Sequence, residues 1–328
     1  METITVTDNN IQLINYTSSN NKLLESSIHS NRIFLQKYIK KNGIDCLQEL
    51  LLLFSNNNIN MDLSYNNINC EILEYIINCM MEYNISSNEL ILDYNNILNI
   101  NTILKYIDKF TIEKLSLRNN EIDCNGITQF INLLNNCNLR SLDLYNNMIG
   151  DKGCNIIMNS IINNNITILN LGMNCITENG IMIIASILEK KTNLTNLNLS
   201  NNNLTDDSIK IIAQGLYHEN SNLQHLDIGC NEITTNGAII ISKMLKKNNK
   251  LKTIILERNK IDSIKWLKYI FNNNTTLTYL DICNNLIDSS ILIKFEKLRK
   301  RTCFVKYIRN EIIEHDSFYN LMSESTYV

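Results

Sequence analysis

Four histidines, His29, His218, His225 and His315, are the side chains best suited to proton transfer near neutral pH. His225 stands two residues before Asp227, so on a strand the two would share a face. The nucleophile for such a pair would be Cys283. In the strand frame set out below it lies two strands away, roughly 10 Å at a spacing of ~4.8 Å. A nucleophile and its base must be in hydrogen-bond contact, so no Cys-His chemistry is expected. No Walker loop, HExxH, GxSxG or zinc-ligand spacing occurs. The chain is therefore read as non-enzymatic, with no cofactor and no metal. Cys46, Cys70, Cys79, Cys124, Cys137, Cys154, Cys175, Cys230, Cys283 and Cys303 form no CxxC pair. The first residues, METITVTDNNIQLINYTSSNN, have neither a basic start nor an apolar run, so no export signal is read. Free thiols in a reducing, cytoplasmic setting are expected.

The side chains that remain are displayed by a repeating frame. Asn193 to Thr205, NLTNLNLSNNNLT, places Leu194, Leu197 and Leu199 at L-x-x-L-x-L, and Asn202 and Leu204 complete x-x-N-x-L. This is the leucine-rich repeat signature. Leu197 and Leu199 alternate on a short strand and point into a core. The amide of Asn202 falls where the backbone turns inward and is expected to satisfy peptide groups of its own and the next turn. The same frame recurs at Asn66, Asn95, Asn120, Asn147, Asn174, Asn231, Asn259 and Asn285, at intervals of 25 to 29 residues. A tenth, weaker frame runs through Val305, Tyr307, Asn310 and Ile312. Register held over so many copies makes chance matches in an Asn-rich and Ile-rich chain a poor explanation. That bias fits an AT-rich genome, and the runs NNN at 56–58, 163–165, 201–203 and 272–274 are read as its overflow into tolerant turns.

After each Asn-x-Ile comes a turn and then a helical period, as in ITENGIMIIASILEK and ITTNGAIIISKMLKK, with Thr177, Asp206 and Thr234 as capping residues. Strand, turn and antiparallel helix at this repeat length resemble the ribonuclease-inhibitor-like subfamily of leucine-rich repeat proteins, over roughly residues 58 to 312. The resemblance implies an α/β solenoid, a horseshoe with a concave parallel β-sheet and convex α-helices, because strands stack more closely than helices do. Right-handed crossovers follow. It also implies a protein-binding scaffold, expected to be monomeric. Proteins that activate the small GTPase Ran resemble the same class and add an acidic tail, and a secreted, host-directed immune-modulating module is a further alternative.

On the face turned away from the helices, the middle column runs Asp62, Ile91, Ser116, Asp143, Asn170, Asn198, Asp227, Ile255, Asp281. Its larger neighbours fall in two clusters, Tyr65, Ile91, Tyr94, Arg118 and Tyr145, then Ile255, Glu257, Arg258 and Tyr279. Tyrosine and arginine commonly anchor protein interfaces, so these nine are the candidate contacts for an unidentified protein partner. A net charge of −3 offers no case for nucleic acid, and no apolar run is long enough for a membrane span. Residues 1–57 are read as an N-terminal cap of eroded repeats, with Ile4, Val6, Asn9 and Ile11 echoing a strand half. Residues 313–328 are read as a tail that follows the basic stretch 294–309.

Overall fold

A computed structural model describes residues 2–7, 10–15, 61–82, 84–109, 112–128, 138–218, 221–288 and 304–306. Most of the expected N-terminal cap, most of the basic stretch 294–309 and the whole tail lie outside the described residues. The chain divides into two compact units, Met1–Ile168 and Leu169–Val328. No helix among the described residues is long and apolar enough to cross a membrane.

The first unit opens with β1 (Glu2–Thr7) and β2 (Asn10–Asn15), which pair antiparallel as their own two-stranded sheet. The strand half of a repeat expected at Ile4 to Ile11 is thus a hairpin instead. Alternation of apolar and polar residues cannot distinguish the two. The repeats follow: β3 (Met61–Asp62), α1 (Cys70–Glu82), β4 (Glu89–Ile91), α2 (Asn101–Lys109), β5 (Lys114–Ser116), β6 (Ser141–Asp143) and α3 (Gly150–Ser160). Strands β3 to β6 pair in sequence order, all parallel, with Asp62, Ile91, Ser116 and Asp143 in register.

β7 (Ile168–Asn170) leads into the second unit, followed by α4 (Glu178–Leu188), β8 (Asn196–Asn198), α5 (Asp206–Leu216), β9 (His225–Asp227), α6 (Thr235–Leu245), β10 (Thr253–Ile255), α7 (Leu267–Asn273), β11 (Tyr279–Asp281) and β12 (Phe304–Lys306). Strands β8 to β12 are parallel neighbours, and β12 supplies the strand of the tenth frame, with Val305 opposite Leu280. The leucines of the frame are the core: Leu197, Leu199, Leu226, Ile254 and Leu280 are almost wholly buried. Helices α4 and α6 begin at Thr177 and Thr234, whose hydroxyls accept from Asn179 N and Asn236 N. α5 is capped by Thr205 rather than by Asp206, which instead accepts from Thr234 N and Thr234 Oγ1 of the next repeat. The hydroxyl at Thr205 outcompetes the carboxylate because it stands one residue earlier, where the backbone is still extended.

Within each unit, a ladder asparagine that follows another holds its own turn and the preceding one, the reverse of the direction read from sequence. Asn95 Oδ1 accepts from Asn66 N at 3.0 Å and Ile68 N at 2.9 Å, while its Nδ2 donates to Leu63 O and Leu92 O. Asn231 repeats this in the second unit on Asn202 N, Leu204 N, Leu199 O and Ile228 O. The direction follows from the parallel stack, in which carbonyls of the earlier strand's end face the later turn. The asparagine runs also have local causes. In Asn201-Asn202-Asn203 the outer two are left-handed, φ 57° each, and the middle one is the ladder residue. Asparagine is among the few residues with a side chain that adopt this backbone readily. Asn164, read as a tolerant turn, is buried, donating to Ser160 O at 2.7 Å and accepting from Ile166 N at 2.9 Å. Asn248 and Asn274 do the same work after α6 and α7.

Candidate functional site

The residue before each ladder asparagine is left-handed in all nine repeats. Four repeats place Asn there: Asn119, Asn146, Asn201 and Asn284. The others carry Tyr65, Tyr94, Met173, Cys230 and Arg258, side chains that gain nothing from the conformation and raise its cost. This row was visible in the sequence as the position where the asparagine habit lapses.

In the first unit Tyr65 and Tyr94 stack, ring centroids 4.2 Å apart and planes 11° from parallel. They remain 50% and 44% exposed, which leaves an outer aromatic surface held in place by two adjacent turns. Ile91 is half-buried on β4 beside them. Arg118 is half-buried, its backbone N donating to Asp93 Oδ1 at 2.9 Å and its guanidinium 5.1 Å from the centre of the Tyr145 ring. Its Nε also lies 4.0 Å from Asp143 Oδ2. Tyr145 itself is only 9% exposed, so it serves as the base on which Arg118 rests rather than as an exposed anchor. Burial pushes the Asp93 carboxyl above its ordinary value, and bonds from Ser116 and Arg118 offset part of that rise.

The second unit differs. Ile255, expected among the exposed contacts, is 1% exposed and belongs to the core, so it offers no contact area. Glu257 is half-buried over Gly229, where a Cβ would stand 3.1 Å from Glu257 Cγ and 3.2 Å from Asp227 Oδ1. The bare glycine lets the two carboxylates approach. Arg258 is exposed, and Tyr279 is half-buried with its hydroxyl donating to Asp281 Oδ2 at 3.3 Å. Burial pushes the Tyr279 phenol up, and the Asp281 charge adds to that. Burial likewise lifts Asp227 to about 7, with Glu257 and Asp281 contributing and the Gly229 N–H opposing.

Three of the four aspartates in the middle column, Asp143, Asp227 and Asp281, are buried rather than facing outward. Asp143, Asp227 and Asp281 accept from Tyr145 N, Gly229 N and Cys283 N two residues on, and Asn170 and Asn198 make the same bond to Gly172 N and Ser200 N. The recurrent Asp is a turn-closing acceptor, for which Asn is the neutral substitute. His225, half-buried on β9, is opposite Thr253, with Tyr279 one strand further. Burial and the Lys252 charge lower its pKa. Trp266 is buried, its Nε1 donating to Ser263 O. Among the described residues no group of three or more His, Cys, Asp or Glu could hold a metal ion, and the seven cysteines form no disulfide.

These features define a leucine-rich repeat solenoid. Residues 135–155, 163–185, 190–213 and 219–242 match the family described as Leucine Rich repeat, and each segment contains one ladder asparagine, Asn147, Asn174, Asn202 or Asn231. No curated protein matches the chain. Among solved structures it is similar to an internalin (inlF) from Listeria monocytogenes, at 15% identity over 81% of this chain and 84% of that chain, TM-score 0.45. It is also similar to an internalin C2 from the same organism, at 23% identity over 62% and 84%, TM-score 0.38.

Proposed function

We propose that the protein is a non-enzymatic scaffold that binds a protein partner through the sheet face and adjoining turns, with Tyr65 and Tyr94 as the central contact. The observation that carries this is the stacked, half-exposed pair held in left-handed turns. Two large aromatics occupy positions where asparagine would fold more easily, and their rings are already ordered, so little side-chain entropy is lost on binding. Ile91 and Arg118, the latter resting on Tyr145, extend the contact in the first unit, and Glu257, Arg258 and Tyr279 form a second, more charged patch in their own unit. The repeat length and helical return support the ribonuclease-inhibitor-like subfamily. We take residues 1–57 as a cap, 58–312 as repeats and 313–328 as a tail, in a cytoplasmic monomer with reduced thiols.

The test is affinity capture with the full chain, run beside the double variant Tyr65→Ala/Tyr94→Ala. A protein retained by the wild type and lost by the variant is expected. If the same protein is retained by both and lost with Lys246→Glu, on the helix side, the sheet-face reading is wrong.

A further inference from the structure

The second unit also holds a group of basic side chains that the sheet face does not use. The loops that follow the neighbouring helices α4, α5 and α6 carry Lys190, Lys191, His218, Lys246, Lys247 and Lys250, all exposed. Glu189 is the acid among the described residues of these loops, its Oε1 3.5 Å from His218 Nε2. The opposite ends of α4 and α5 carry Glu178, Asp206 and Asp207. This segregation follows the helix dipoles, and lysines at helix C-termini would need no further explanation.

The dipoles do not account for the cleft that these loops form. A cavity of about 350 Å³ opens between Tyr217 and His218, after α5, and Lys247 to Lys250, after α6. Its walls are fixed. Asn248 is buried; its Nδ2 donates to Leu216 O at 2.9 Å, and its Oδ1 accepts from Lys250 N at 3.0 Å and Leu251 N at 2.9 Å. One amide thus ties the two loops together and sets where Lys250 emerges. The Lys247 ammonium stands 5.7 Å from the centre of the Tyr217 ring, which holds it beside the cleft. Two helix ends bring roughly half a negative charge each, and the two lysines exceed that sum.

We propose that this cleft binds an anion of the phosphomonoester type, with Lys247 and Lys250 as its cationic contacts and His218 as a further hydrogen-bonding contact. A carboxylate presents two acceptor oxygens in one plane, whereas a phosphoryl group presents three to donors on different loops. The assignment is independent of the sheet face and of any partner there.

The test is a titration of the full chain with inorganic phosphate and, separately, with a phosphoserine peptide, at constant ionic strength, following backbone amide chemical shifts. Saturable shifts confined to residues 216–218 and 247–251 are expected. Lys247→Ala/Lys250→Ala should weaken binding by about tenfold or more, whereas an equal charge loss on the exposed faces of α5 and α6, Lys210→Ala with Lys243→Ala, should not. Lys247 and Lys250 are both exposed, so their double variant should melt with the wild type. Tighter binding of the peptide assigns the phosphoryl group to a modified protein, and equal binding assigns it to a free phosphate compound; either upholds the site. Shifts that do not saturate, that spread equally to Lys190 and Lys210, or that persist in Lys247→Ala/Lys250→Ala overturn it.

Discussion

The two units share one backbone device and use it to opposite ends. In each, the ladder asparagine and the left-handed residue before it fix the turn. The first unit fills the free positions with exposed rings, Tyr65 on Tyr94, whereas the second buries Asn198, Asp227, Ile255 and Asp281 in its middle column. The same strand position is half-exposed at Asp62, Ile91 and Ser116 and nearly closed from Asp143 onward. The repeat therefore dictates the chain path but not the character of the face. The first unit presents stacked aromatic surface, and the second gathers two buried aspartates, Asp227 and Asp281, around Glu257.

The most severe test of the shared device is to remove one ladder rung from each unit. Asn95→Ala and Asn231→Ala each strand two N–H groups, while the carbonyls they served keep a second donor, and each should destabilise by about 2 to 5 kcal/mol, read by urea unfolding. A cost confined to one unit would break the comparison.

The stored charge of the second unit gives the next largest effect. Asp227 titrates near 7 when folded and near ~3.9 when unfolded, so the folded state holds the extra proton between those values. Its contribution is therefore intact at low pH and is lost as pH rises from about 4 through 7. Asp227→Asn keeps the acceptor for Gly229 N, as Asn170 and Asn198 already do. It should stabilise the protein at pH 8 by on the order of 2 to 4 kcal/mol and flatten the difference between pH 5 and pH 8. An unchanged pH profile would place Asp227 in water.

For the first unit, Tyr94→Ala should weaken a captured partner by about 2 kcal/mol, or thirtyfold, while Asn198→Ala in the second unit should not. Smallest of all is the stability change in Tyr65→Asn/Tyr94→Asn. Relief of the left-handed backbone opposes loss of a stack worth ~0.5–1.5 kcal/mol, so unfolding should shift by less than about 1 kcal/mol while binding is lost. A large fall in stability would make the pair a structural element rather than a contact.

The period of asparagines made the repeats, their strand registers and helices α3 to α6 legible, because hydrophobic spacing and capping residues act locally. The exposure of single positions was not legible. Ile255 and Tyr145 are closed off by neighbours distant in sequence, and no local pattern distinguishes them from Ile91 and Tyr94. The asparagine runs were misjudged for a related reason: composition explained their abundance and so concealed that Asn164, Asn201 and Asn203 each answer a separate backbone demand. The carboxylate cluster around Gly229 and the cleft beside Asn248 depend on side chains meeting across adjacent repeats, which spacing within one repeat does not encode.

The ladder also has a mechanical consequence. Because each asparagine grips the turn before it, a chain pulled from its C-terminal end would peel within the second unit one repeat at a time, each step breaking a single rung. A repeat of 25 to 29 residues releases roughly 90 to 100 Å of contour at ~3.5 Å per residue. Stretching the molecule by optical tweezers should give a sawtooth of evenly spaced rips, and Asn231→Ala should lower the force of one tooth while leaving the spacing of the others unchanged.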